Sequence, residues 1–125
     1  MPPQFTDREL DVMAVLWRNG PSTVAEVREL LDDPLAYTTV LTVLRTLEDK
    51  TFAGHREEGK AHRYYAKVTE KAARQTALSR VLDRVFGGSA ELLLTHLVKD
   101  RDLSPAEIRR LRALMDESLK RGKKP

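Results

Sequence analysis

YTTVLTVLRTLEDK, Tyr37–Lys50, decides the fold, and its two local signals disagree. Threonine and valine favour a strand. Yet Val40, Val43, Leu44 and Leu47 fall on one face of a 3.6-residue period. The run is too long for an ordinary strand, and Glu48-Asp49-Lys50 continues it without a break. The reading is therefore a helix. Its opposite face carries Thr38, Thr39, Thr42, Arg45, Thr46 and Asp49.

Upstream, Thr6 with Glu9 and Thr23 with Glu26 have capping-box spacing, in which each side chain satisfies an amide in the other's turn. Leu10, Met13, Leu16 and Trp17 follow the first box, and Gly20-Pro21 stops that helix. Val24, Val27, Leu30 and Leu31 follow the second, which Asp32-Asp33-Pro34 ends. Downstream of Lys50 the period changes to two. FAGHRE and AHRYYA flank Glu58-Gly59-Lys60, a hairpin with glycine at its turn. Three helices and a hairpin, in that order, predict a winged helix-turn-helix over residues 1–68.

Residues 69–125 read as three more helices. Thr69, Ser89 and Ser104 sit at their starts, Pro105 takes a first helical position, and Gly87-Gly88 ends the first of them. The tail from Lys120 to Pro125 reads as frayed. The fold class is mainly α with a small β-hairpin, a winged helix followed by a three-helix module. That module's apolar residues exceed what so small a helical piece can enclose alone. They are Leu78, Val81, Leu82, Val85, Phe86, Leu92, Leu93, Leu94, Leu97, Ile108, Leu111, Leu114 and Met115. A second copy of the chain is the simplest cover, giving a homodimer suited to a two-fold operator.

The net charge of +3 is unevenly spread. Met1–Ala66 holds 8 basic and 11 acidic residues, whereas Lys67–Pro125 holds 14 and 8. Within the first part, Met1–Ala36 is net acidic and Tyr37–Ala66 slightly basic, so a DNA-facing surface should lie after Ala36. The threonine face suits a helix set deep in a major groove, since hydroxyls bond base edges or phosphates and methyls pack on thymine. A merely solvated face on a β-rich segment explains the same residues. Arg56, Lys60, His62 and Arg63 cluster near the hairpin tip, where a wing meets phosphate or minor groove. Glu57 and Glu58 among them fit a solvated hairpin equally well. Tyr64 and Tyr65 read as packing residues.

The chain has no cysteine, so disulfides, thiolate metal sites and cysteine nucleophiles are excluded. No apolar run can span a bilayer, and MPPQFTDRELD shows no secretory signal, so a cytoplasmic protein is expected. No phosphate loop, HExxH pair or GxSxG elbow is present, which argues against an enzyme. No cofactor is called for. A two-residue turn at Glu58-Gly59 would put His55 opposite His62, a metal pair lacking a third ligand. His96, among leucines, reads as a core histidine.

DRELDVMAVLWRNGPSTVAEVRELL, YTTVLTVLRTLEDK, HRYYA and GGSAELLLTHLVKDRDLSPAEIRRLRALM, in that order, resemble the penicillinase-repressor family (BlaI/MecI/CopY type). The resemblance implies a homodimeric repressor on a palindromic operator, with a wing over Phe52–Ala66 and the third helix reading bases through Thr38, Thr39, Leu41 and Thr42. Thr23, Tyr37, Arg45 and Thr46 complete the DNA-contacting set with the wing cluster. β-Lactam-responsive members carry basic residues at Thr38 and Leu41, so the bases read should differ. The copper-responsive branch carries cysteine pairs absent here. The β-lactam branch is inactivated by a membrane sensor metalloprotease at an Asn-Phe bond, and the nearest bond here is His96-Leu97, which supports that route poorly. Thr51 stands where the family often has glycine, so that helix end should be rearranged or strained. Two alternatives stay open, a winged-helix protein-interaction module and a metal-responsive regulator using His55 and His62.

Overall fold

A computed structural model describes residues 4–122; the terminal Lys123, Lys124 and Pro125, expected to fray, lie outside it, as do the first three residues of the expected N-terminal domain. The elements are α1 (Asp7–Asn19), β1 (Ser22–Thr23), α2 (Val24–Leu30), α3 (Tyr37–Asp49), β2 (Ala53–Glu58), β3 (Ala61–Ala66), α4 (Glu70–Val85), α5 (Ala90–Asp100) and α6 (Pro105–Lys120). Two compact units result, one ending at Arg80 and one starting at Val81.

The capping spacings act as the physics requires. Thr6 and Glu9, Thr23 and Glu26, and Ser104 and Glu107 each form a reciprocal box, and the Ser89 side chain accepts from the Leu92 amide. The ambiguous Tyr37–Lys50 run is helical because its stripe has a core to meet. Val40, Leu44 and Leu47 are fully buried against Val12, Met13, Val24 and Val27, with Ala53 and Tyr64 closing the other side. Threonine's strand preference loses to that burial, worth about 2 kcal/mol per large side chain.

Three expectations need correction. Leu30, assigned to the second helix's core stripe, is 49% exposed, because α2 stops after seven residues and Leu31 is already its C-cap. The sheet has three strands in the order β1-β3-β2, since Ser22 and Thr23 pair with Tyr64 and Arg63. A two-residue strand leaves no period for a sequence pattern to reveal. The hairpin turn is Gly59-Lys60, with Gly59 at φ +64° and Glu58 facing Ala61. His55 therefore lies opposite Tyr64, and His62 opposite Glu57. Ala73 in α4 is buried within the compact unit that ends at Arg80.

Beyond α3 the backbone turns left-handed at Thr51, φ +68°. The Thr51 amide donates to the Glu48 carbonyl and the Phe52 amide to the Leu47 carbonyl, a helix stop that usually takes glycine. Holding a β-branched residue there costs about 1–2 kcal/mol, which is the strain expected from the sequence. Lys50, the preceding residue, reaches back to α1. Its Nζ donates to both oxygens of Glu9 at 2.9 Å, and Glu9 is only 4% exposed. Burial alone would raise that carboxyl; the Thr6 amide and the Lys50 ammonium more than offset it and hold it below the usual carboxylate range.

Candidate nucleic-acid interface

The surface of α3 divides by residue type. Val40, Leu44 and Leu47 are inward, while Thr38, Thr39, Thr42 and Arg45 are exposed, with Leu41 and Thr46 half-buried at the edges. A helix whose outer face is almost all threonine offers little bulk, so its backbone can approach a groove closely. The hydroxyls are not all free to donate. Thr42 Oγ1 donates to the Thr38 carbonyl and Thr46 Oγ1 to the Thr42 carbonyl, both at 2.9 Å. Those two side chains therefore turn a methyl and acceptor lone pairs outward.

The start of α3 is open. Ala36 is its N-cap and supplies no side-chain hydrogen bond, so the first amides and the positive end of the dipole beside Tyr37 and Thr38 face solvent. Tyr37 is 48% exposed there. The loop leading in is pinned by Arg28, whose Nε donates to the Leu35 carbonyl at 2.7 Å. A helix with a rigid approach and an uncapped N-terminus favours anionic groups.

The wing presents two faces. On one, Ala53 and Tyr64 are buried, and His55 and His62 lie further out. Their rings stack diagonally across the strands, centroids 4.4 Å apart and 15° from parallel. His55 Nδ1 also meets Glu48 Oε2 at 2.5 Å, joining the wing to the last turn of α3. Among the described residues no three metal-ligating side chains converge, and two stacked rings present parallel edges, not a common point. Burial, with Glu48 nearby, raises the Tyr64 hydroxyl above its ordinary value.

The other wing face carries Arg56, Glu58, Arg63 and, toward the base, Tyr65 over Gly54. A Cβ at Gly54 would come within 2.7 Å of the Tyr65 hydroxyl, so a larger residue there would have to displace the end of that ring. Arg56 and Lys60 are exposed. Arg63 is not, at 22% for its side chain, and its guanidinium is engaged by Glu58 and Glu26. Thr23 lies behind it, occupied in capping α2. The structure thus gathers Tyr37, Thr38, Thr39, Thr42 and Arg45 on one helix, and Arg56, Lys60 and His62 on the wing. Thr23 and Arg63 sit where wing and α2 join.

From Val81 onward the second unit has no buried residue among those described. Leu92, Leu97, Ile108, Leu111, Leu114 and Met115 are exposed, as is Val85 at 70%; Leu82, Phe86, Leu93 and Leu94 are half-buried. Val98, at 49%, belongs with them, and its place at the end of an apolar run could have revealed it. Leu78 and Val81, in α4, are likewise exposed. His96 is exposed, not a core residue, because it pairs with Asp100 at 3.0 Å while its ring meets Phe86 edge-on. Among the described residues no helix is long and apolar enough to cross a membrane.

Comparison with known proteins agrees with this layout. The family model described as penicillinase repressor matches residues 5–117. The penicillinase repressor of Bacillus licheniformis is 27% identical over 123 residues, 97% of this chain and 96% of that protein. The transcriptional regulator BlaI of Mycobacterium tuberculosis is 35% identical over 107 residues, covering 70% of this chain and 78% of that one. Among solved structures, monomeric Bacillus licheniformis BlaI in complex with the blaP half-operator matches with a TM-score of 0.50 and 30% identity, over 58% of this chain and 90% of that one. A match reaching from the first helix almost to the end of the last is too complete for a shared winged helix alone, and the chain belongs to the penicillinase-repressor family.

Proposed function

We propose that this protein is a cytoplasmic transcriptional repressor that works as a homodimer on a palindromic operator, laying α3 in the major groove and the β2–β3 wing on the backbone. The observation that carries the reading is the outer face of α3. Thr38, Thr39, Thr42 and Arg45 are exposed beside an uncapped helix start, and Val40, Leu44 and Leu47 lock the opposite face into the core. The half-operator complex of the Bacillus licheniformis relative supports it. Repression is steric, so no catalytic group is needed. Each copy reads one half-site, and the two-fold axis of the dimer sets their spacing.

Dimerisation is assigned to the helices from α4 onward, because their apolar residues stay open in a single chain. Burying such residues against a second copy is worth about 25 cal/mol per Å2 of apolar surface before the cost of association. Release by cleavage at His96–Leu97 would require α5 to open locally, since that bond lies inside an eleven-residue helix. Occupation and release by dissociation need no such step.

A mobility-shift titration with a duplex covering the chain's own upstream region tests the reading. A saturable complex at low salt, persisting against random competitor, is the expected result. No retardation at low salt overturns it. Substituting Thr39 or Thr42 should change which sequences are preferred, whereas substituting Lys60 should weaken all duplexes and flatten the salt dependence.

A further inference from the structure

Arg63 is the wing cation that the fold treats differently. In β3 it faces Arg56 of β2 on one side and Thr23 of β1 on the other. Two guanidinium groups directly across a ladder repel. The structure offsets this by pairing Arg63 with two carboxylates. Its Nε and Nη2 donate to the two oxygens of Glu58 at 3.1 and 2.9 Å. Nη1 donates to Glu26 Oε1 at 2.9 Å and to the Pro21 carbonyl at 3.2 Å. Four of its five N–H donors are thereby used.

The second partner matters most. Glu26 Oε1 also accepts the Thr23 amide at 2.9 Å, and this is one half of the capping box that starts α2. One guanidinium therefore ties together the outer end of β2, the middle of β3, the turn before β1 and the first turn of α2. The chemistry reinforces the tie. Hydrogen bonds from Arg63 hold the Glu58 carboxyl low, and the Thr23 amide with Arg63 does the same for Glu26. Were Arg63 to swing out to a phosphate, it would leave two carboxylates unpaired beside the incoming DNA. Arg56 and Lys60 make no ion pair among the described residues, so the backbone contact falls to them.

We propose that Arg63 is a positioning residue, clamping the wing to the start of α2 through Glu58 and Glu26, and that it does not itself contact the DNA backbone. The DNA half of this inference rests on the repressor reading above; the clamp does not. Lysine has three donors on one nitrogen for the four bonds made here and no fork to meet Glu58 bidentately, so it should not restore the clamp.

The test compares the full chain with Arg63→Lys, Arg63→Ala and Lys60→Ala, measuring affinity for the upstream duplex across salt and hydrogen exchange of the wing amides. Lys60→Ala should flatten the log–log salt slope by about one and leave exchange unchanged. Both Arg63 variants should weaken binding several-fold to a similar extent, keep the wild-type slope, and speed exchange in β2, β3 and the first turn of α2. If Arg63→Lys binds like wild type while Arg63→Ala flattens the slope, Arg63 is a phosphate contact and the proposal is wrong. Unchanged exchange in Arg63→Ala also overturns it. If the wild-type chain fails to bind any duplex, the repressor reading falls, and the exchange data still decide the clamp.

Discussion

The two units of this chain use the same kind of amphipathic helix and reach opposite outcomes. In the unit ending at Arg80, Val12, Met13, Val27, Val40, Leu44 and Leu47 are fully buried, and Tyr64 is nearly so. In the unit beginning at Val81 nothing described is buried, and Val85, Leu114 and Leu119 are 70%, 65% and 80% exposed. The difference lies in what the chain supplies opposite each stripe. The first unit has helices crossing a sheet, so three directions are covered. The second has only helices, too few to surround Leu92, Leu93 and Leu94 in sequence. An apolar stripe states that something will cover it, and leaves open whether the cover is the same chain.

That contrast can be broken first at the second unit. Leu97→Asp combined with Leu114→Asp should convert the assembly to single chains in sedimentation velocity. Operator affinity should fall about a hundredfold as the two half-sites become independent. A wild-type chain that already sediments as a monomer at micromolar concentration would end the homodimer reading. Next in size is the first unit's core. Leu44→Ala should cost about 3 kcal/mol in urea titrations followed by the fluorescence of Trp17, the chain's one tryptophan. Trp17 is a local probe because its Nε1 donates to the Val68 carbonyl at 2.9 Å within that unit. Leu111→Ala, made in the monomeric double variant and followed by loss of helical circular dichroism, should cost under about 1 kcal/mol, since no chain covers that side. Equal costs would mean that the second unit has a core of its own.

A smaller effect sharpens the account of α3. Thr51→Gly should raise stability by about 1 kcal/mol, by relieving a β-branched residue at φ +68°. Thr51→Val should not stabilise, because the branch is what strains it. The smallest expected effect is that of pH on the first unit. Glu9, Glu26 and Glu58 have folded values held below those of the unfolded chain. Their contribution is therefore fully present above the ordinary carboxylate range and is lost as pH falls through the lowered folded values. Glu9→Gln should make the midpoint of urea unfolding less dependent on pH over that acidic window. A midpoint with unchanged pH dependence would remove Glu9 from the account.

Much of the fold could be read from local chemistry. Caps depend on residues three apart, so Thr6, Thr23, Ser89 and Ser104 announced four helix starts. The period of Val40, Leu44 and Leu47 overruled threonine's strand preference, because a buried stripe along a thirteen-residue helix outweighs single-residue propensity. The outer face of α3 follows from the same period, so the candidate reading residues were legible. The wing was less so. A one-residue error in the turn moved His55 from His62 to Tyr64, since register depends on which two residues make the bend. The charge cluster at the tip could not show that Arg63 would face Glu26 across 37 positions, since sequence proximity is silent on such partners.

The sequence by itself determined the helices, their caps, the amphipathic faces, the strain after α3 and membership in the penicillinase-repressor family, all through spacing that acts over a few residues or an ordered set of motifs. Only the tertiary structure decided which cations are free. Lys50 is bound to buried Glu9 and Arg63 to two carboxylates, whereas Arg56 and Lys60 are open to solvent. The reason is physical. A charge on a strand or cap is defined by what long-range packing brings within about 4 Å, and no local pattern encodes that partner.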